Sequence, residues 1–123
     1  MPYLQIDLDR ELEGRVELAS ALARAYATVM EADEQRISVA FRRAEVLRCF
    51  PSGPRPVIVV TCEIRSGREP ERLPRLAGEI ARLVSVAAGV SPDEVVVYFT
   101  QHRGIEIYRD GAPSADWAPP PAA

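Results

Sequence analysis

Proline occupies position 2 of this chain, at the head of a stretch that reads as a β-strand, Pro2-Tyr3-Leu4-Gln5-Ile6-Asp7-Leu8. With Met1 removed, Pro2 becomes the N-terminus and its nitrogen a basic, nucleophilic secondary amine held in a ring. Anywhere else in a chain a proline nitrogen is an amide without a proton. All fifteen cationic side chains are arginine and none is lysine, so this would be the only free amine of the mature chain. A free α-amine titrates near pH ~8. Burial and nearby positive charge both disfavour its protonated form and lower that value. Further along stands Ile64-Arg65-Ser66-Gly67-Arg68. Two guanidiniums three residues apart at a strand end can converge on one carboxylate, for which arginine offers a matched fork of donors. Tyr98, in Val-Val-Val-Tyr-Phe, can donate a phenolic hydrogen bond. A base poised near neutrality can take a proton α to a carbonyl while arginines stabilise the enolate. Taken singly, each feature has a plainer reading: a chance proline, a solvated turn, a core aromatic.

The elements that must position these residues can be read from periodicity. Leu4, Ile6 and Leu8 alternate with Tyr3, Gln5 and Asp7, a period of two that predicts a strand. Residues 11–31 predict a helix, with Leu12, Val16, Ala19, Leu22, Ala23, Tyr26 and Met30 inward. Residues 37–41 predict a second strand, and residues 44–56, punctuated by Pro51, Gly53 and Pro54, a loop. Residues 57–64 predict a third strand. Residues 69–88 predict a second helix, with Leu73, Leu76, Ala77, Ile80, Leu83, Val84 and Ala87 inward and Gly89 as its C-cap. A turn at Pro92-Asp93 leads to a fourth strand at 94–99, and 105–108 reads as a short added one. The Pro- and Ala-rich tail, 112–123, is expected to be loosely held, with Trp117 as its one anchor.

The two halves repeat. A shift of 58 residues carries 2–41 onto 60–99 without a gap, matching Ile6 with Ile64, Arg10 with Arg68, Glu11 with Glu69, Leu18 with Leu76 and Phe41 with Phe99. The expected fold is therefore α/β: duplicated βαβ units, about 2–43 and 57–100, forming a four-stranded sheet with two helices on one face. Apolar runs at 57–60 and 95–97 suit strands buried on both faces. Something must then cover the second face, either partner subunits or the chain's own loop and tail.

Composition narrows the function. At 123 residues, 47% hydrophobic and 27% charged, the chain fits one globular domain, taken as 1–111 with 112–123 as a tail. A net charge of −3 argues against nucleic acid. No apolar run reaches the ~18 residues of a membrane span, and no signal peptide is expected, which makes a cytoplasmic protein with reduced cysteines the default. Cys49, Cys62 and the single His102 lack metal-ligand spacing, so neither metal nor other cofactor is expected.

Together these residues resemble the tautomerase superfamily, small βαβ-duplicated proteins with a catalytic N-terminal proline, and within it the cis-3-chloroacrylic acid dehalogenase-like group. The likeness runs from Pro2 to about Gly111. It is carried by Met1-Pro2, Ala25-Tyr26 ahead of Val39-Ala40-Phe41, the Arg65/Arg68 pair, Ser85-Val86-Ala87-Ala88 and Val97-Tyr98-Phe99. The resemblance implies Pro2 as general base or acid, Arg65 and Arg68 as ligands of a substrate carboxylate, and Tyr98 orienting substrate or water. Tyr26 stands where those dehalogenases carry a substrate-holding histidine. Their water-activating glutamate has no clean counterpart: an ungapped reading gives Arg109, a short gap brings Glu106 near. The implied protein is a homotrimer whose sheets form a central barrel. Its implied activity is keto–enol tautomerisation of small 2-oxo or unsaturated carboxylic acids, with hydration or dehalogenation in second place. The other class left open is a non-catalytic ligand-binding or interaction protein on the same frame.

Overall fold

The computed structural model describes residues 2–121; Met1 lies outside them. Strand β1 (Tyr3–Leu8) leads into helix α1 (Arg15–Met30) and returns as β2 (Ser38–Arg43). After β3 (Val46–Phe50), the long β4 (Gly53–Arg65), helix α2 (Leu73–Ala88) and β5 (Val95–His102) repeat the pattern. A small ribbon of β6 (Tyr108–Arg109) and β7 (Ala112–Pro113) follows. β1 pairs in parallel with β2, β4 pairs in parallel with β5, and β1 and β4 run antiparallel between them. Both helices lie on one face of this sheet. The 58-residue offset carries α1 onto α2 end to end, and the 3-10 turn Glu34–Arg36 onto Pro92–Glu94. It also pairs Glu31 with Gly89, the two left-handed residues that end the helices.

Strand alternation explains the layers. Leu4, Ile6 and Leu8 of β1 and Ile58, Val60, Cys62 and Ile64 of β4 face the helices. They pack against Leu22, Tyr26 and Met30 of α1 and Leu76, Ile80 and Val84 of α2. Burying each such Leu or Ile contributes about 1.5–3 kcal/mol relative to exposure. The other face of β1 carries a polar row. Tyr3 donates to Gln5 (3.4 Å), Gln5 donates to Asp7 (3.2 Å), and Arg42 grips both oxygens of Asp7 at 2.9 Å.

Several boundaries differ from expectation. Residues 44–56 are mostly not a loop: β3 and the start of β4 form a hairpin from Val46↔Val57 to Phe50↔Gly53. Pro51 and Ser52 make its turn, and Gly53 takes a φ of 115° there. Pro54 and Pro56 disguise this strand, because a proline cannot donate to a ladder and normally marks an edge or a break. Arg48 and Arg55 stack on Phe50, at 4.7 and 4.0 Å from its ring centre. Helix α1 starts at Arg15 rather than 11, so Val16 falls in its first turn and is 70% exposed. The buried stripe is instead Leu18, Leu22, Ala23, Tyr26, Val29 and Met30. Ala87 of α2 is exposed too. In place of a strand at 105–108 there is a 3-10 turn, Gly104–Glu106, followed by β6. Among the described residues no helix is long and apolar enough to cross a membrane.

The two cysteines differ in a measurable way. Cys62 is fully buried and its thiol is pushed up to about 12, by loss of hydration first and by Glu63 second, whereas Cys49 is exposed. The thiolate is the reactive form. Folded protein at pH 8 should therefore take up one equivalent of maleimide, at Cys49, and unfolded protein two. Rapid uptake of two by the folded protein would contradict this packing.

Candidate active site

Because β1 and β4 are antiparallel with Tyr3 opposite Glu63, the start of β1 meets the end of β4. That register places Pro2 beside the strand end that carries Arg65. The Pro2 carbonyl accepts the N–H of Ser38 (3.1 Å), which fixes it against β2 as well. The C-terminal end of α1 closes the third side. Between them lies a cavity of about 360 Å³ lined by Pro2, Tyr26, Arg65 and Arg68. Glu31, Ala32, Asp33 and Arg36 line it from the segment after α1, and Arg109, Ser114 and Trp117 from the C-terminal segment.

Four arginines against two acids give this lining an excess of positive charge, the balance an anion needs. Arg65 donates from Nη1 to the carbonyl of Ala115 at 3.1 Å. Arg68 donates from Nε to Glu69 (3.1 Å) and from Nη2 to the Met30 carbonyl, and its guanidinium lies 4.4 Å from the ring centre of Trp117. Arg72 grips Glu69 from the other side (2.7 Å) and the Val29 carbonyl (2.7 Å). Glu69 is held below the usual carboxylate range by its own backbone N–H first and then by Arg68 and Arg72, which outweigh its partial loss of hydration. Tyr26 is buried, and that burial drives its phenol well above the ordinary tyrosine range; Arg65 and Arg68 pull the other way without prevailing. It therefore stays protonated at neutral pH and can donate a hydrogen bond into the cavity.

Four of the residues singled out in the sequence, Pro2, Tyr26, Arg65 and Arg68, come together. Tyr98 and Glu106 do not join them. Tyr98 lies opposite Thr61 in β5 and is 57% exposed. Glu106 accepts from the backbone N–H of Arg103 (3.1 Å) and from its Nε (3.3 Å), and the backbone bond chiefly holds its carboxyl below the ordinary range. It faces a separate hollow with Tyr3, Glu63, His102, Ile107 and Tyr108. Sequence reasoning missed Glu31, Asp33, Arg36, Ser114 and Trp117 as lining residues. For Glu31 there was a signal: the repeat pairs it with the C-cap Gly89.

No protein-family model matches the chain, and neither does any curated protein. Solved structures do. The protein N1, a member of the cis-3-chloroacrylic acid dehalogenase family, superposes with a TM-score of 0.78 at 20% identity, over 93% of this chain and 84% of its own. Pt0534 inactivated by 2-oxo-3-pentynoate gives 0.79 at 17% identity, over 92% and 96%. A fused 4-OT asymmetric trimer gives 0.78 at 16% identity, over 90% and 94%. The chain shares the fold of these proteins, a tautomerase/MIF-like fold. Within that tautomerase fold the two βαβ units are equivalent in backbone, but only one of the two pseudo-equivalent strand ends meets Pro2.

Proposed function

We propose that this protein is a tautomerase-type enzyme that uses Pro2, freed by loss of Met1, as general base and acid on small 2-oxo or unsaturated carboxylic acids. The observation that supports it is the meeting of Pro2, Arg65, Arg68 and the protonated Tyr26 in one cavity. Arg65, with Arg68 behind it, takes the substrate carboxylate. The Pro2 nitrogen removes a proton from the carbon α to the carbonyl, and the C–H electron pair becomes the enolate double bond. The guanidiniums and the Tyr26 hydroxyl stabilise the charge on oxygen. Return of a proton from Pro2 to carbon, or to oxygen, completes the tautomerisation in either direction.

The assembly belongs to the proposal. The sheet face opposite the helices bears Tyr3, Gln5, Thr61 and the exposed Tyr98. A homotrimer with its sheets turned inward would cover it and give Tyr98 a substrate- or water-orienting role. A relative of the same fold is a trimer. A non-catalytic trimeric ligand-binding or interaction protein on the same fold is the second reading, favoured by the bonds that already engage Arg65 and Arg68 within the chain.

Ketonisation of 2-hydroxymuconate, a slender unsaturated acid, followed by absorbance, tests the enzyme reading. Halide release from 3-haloacrylates, measured on the same preparation, tests which reaction is native. Glu106 lies outside the cavity, Glu31 is paired with Arg72 and Asp33 caps Gln35, so among the described residues that line the cavity no carboxylate is poised for water. Halide release should be slower by about 100-fold or more, the factor a missing general base typically costs. Equal efficiencies would show that one of these acids does activate water.

A further inference from the structure

The repeat makes the two corners of the molecule directly comparable. In the second, Arg68 donates to the carbonyl of Met30, the last residue of α1, and to its neighbour Glu69. In the first, the matching Arg10 donates to the carbonyl of Ala88, the last residue of α2, and to its neighbour Asp9. Tying the end of the opposite helix is thus a duplicated structural task, and does not by itself make a site. What differs is cover. The Arg10 side chain is 43% exposed, the Arg68 side chain only 7%. The cover is the C-terminal segment, which has no counterpart after the first repeat.

That segment is fastened back over the site. Ser114 N–H donates to the Ile107 carbonyl (2.8 Å), Asp116 accepts from Gly104 N–H (2.6 Å), and Trp117 N–H donates to the Ser66 carbonyl (3.3 Å). Arg65 donates to the Ala115 carbonyl, and the Trp117 ring lies on Arg68. Two glycines make the approach possible. A methyl group on Gly67 would stand 2.9 Å from the Trp117 carbonyl oxygen, and one on Gly104 would stand 2.5 Å from Asp116 N and from the Ser114 carbonyl oxygen. The latter are backbone atoms, so relief requires the segment itself to move.

We infer that residues 114–117 form a strap that converts one of two equivalent corners into a size-selective carboxylate pocket, with Trp117 as the positioning residue for Arg68. The strap rests on the carboxylate-site reading above and adds what selects among carboxylates. Trp117 fixes the guanidinium plane and walls the cavity, admitting small acids and excluding those with a bulky group behind the carboxylate. The cover need not be permanent, since the segment is held by a few hydrogen bonds and one ring contact.

Trp117 is the only tryptophan of the chain, so its emission reports the strap without any assay of turnover. In full-length Gly104→Ala the emission should shift to the red and acrylamide quenching should rise. Unchanged emission in a folded variant would contradict the docking. Calorimetric titration with oxamate and with phenylacetate reads the selectivity. Wild type should prefer oxamate. In Gly104→Ala and Trp117→Ala oxamate binding should weaken by about 2- to 30-fold, the span of a lost cation–π contact, while phenylacetate binding should not weaken. Trp117→Phe, which keeps a ring over Arg68, should behave as wild type. Should Gly104→Ala not fold, as judged by circular dichroism, the two Trp117 variants decide alone. An unchanged oxamate preference in Trp117→Ala, or a wild type that binds neither acid, would overturn the strap. Selective binding without any turnover would instead sink the enzyme reading and leave the strap standing.

Discussion

Replacing Pro2 by alanine should lower ketonisation turnover by a factor of about 10²–10⁴, the usual contribution of a positioned general base. Alanine also ends in an amine, so the loss tests position and not mere presence. Proline's ring fixes the nitrogen at the head of β1, where the antiparallel register with β4 sets it against Arg65. A primary amine on a freer backbone samples other directions, and small displacements of a reacting group are costly. The fold should not suffer, because the Pro2 carbonyl makes the bond to Ser38 and any residue supplies a carbonyl. Intact mass must first confirm that Met1 has been removed from both proteins. Undiminished turnover in a correctly processed variant would dismiss Pro2 as the base.

Arg65→Ala should reduce kcat/KM by roughly 10- to 150-fold, the equivalent of one charge-assisted contact worth ~1.5–3 kcal/mol. Its side-chain bond to the Ala115 carbonyl is of an ordinary kind, so unfolding stability should change little. Arg68→Ala is a different experiment. The sequence alone predicts the same outcome for both arginines, but Arg68 is nearly buried and holds the Met30 carbonyl, Glu69 and Trp117 at once. Its removal leaves partners unsatisfied, each costing about 1–3 kcal/mol, so the denaturation midpoint should fall along with activity. Denaturant titration beside steady-state kinetics separates the two. Equal, unaltered kinetics in both variants would make them ordinary strand-end arginines.

The backbone of this fold was legible because its periodicities are strong and occur twice. Leu4, Ile6 and Leu8 alternate cleanly, α2 carries a dense apolar stripe, and the repeat vouches for each half with the other. The hairpin at Val46–Phe50 was hidden because Pro54 and Pro56 lie in its partner strand, where proline ordinarily argues against pairing. The apolar spacing places the start of α1 too early because Leu12 is buried without being helical. In the site, Pro2, Arg65 and Arg68 announced themselves by residue type and strand-end position. The strap did not. Ser114 and Trp117 reach Ile107 and Ser66 through their backbone N–H groups, and the Asp116 carboxylate accepts from the backbone N–H of Gly104; bonds with a backbone partner leave almost no trace in residue type. A motif singles out Tyr98 and a short alignment gap brings Glu106 into question, yet the chain folds Tyr98 toward the open sheet face and Glu106 toward a separate hollow. Residue type had identified donors and acids there without showing where they point.

The absence of lysine permits the most direct test that Pro2 is a reactive amine in a carboxylate pocket. A mature chain offers a single non-amide amine, and arginine competes poorly as a nucleophile. The Pro2 nitrogen adds to the carbonyl of a 2-oxo acid, water leaves, and cyanoborohydride delivers hydride to the resulting iminium carbon to give a stable tertiary amine. Mass spectrometry after this treatment should find one adduct per chain, on the N-terminal peptide, formed faster with a 2-oxo acid than with a neutral ketone of similar size. Protein that retains Met1 should label slowly and without that preference. Equal, indiscriminate labelling of both preparations would contradict the account, because Pro2 would then hold no privileged place beside the arginines.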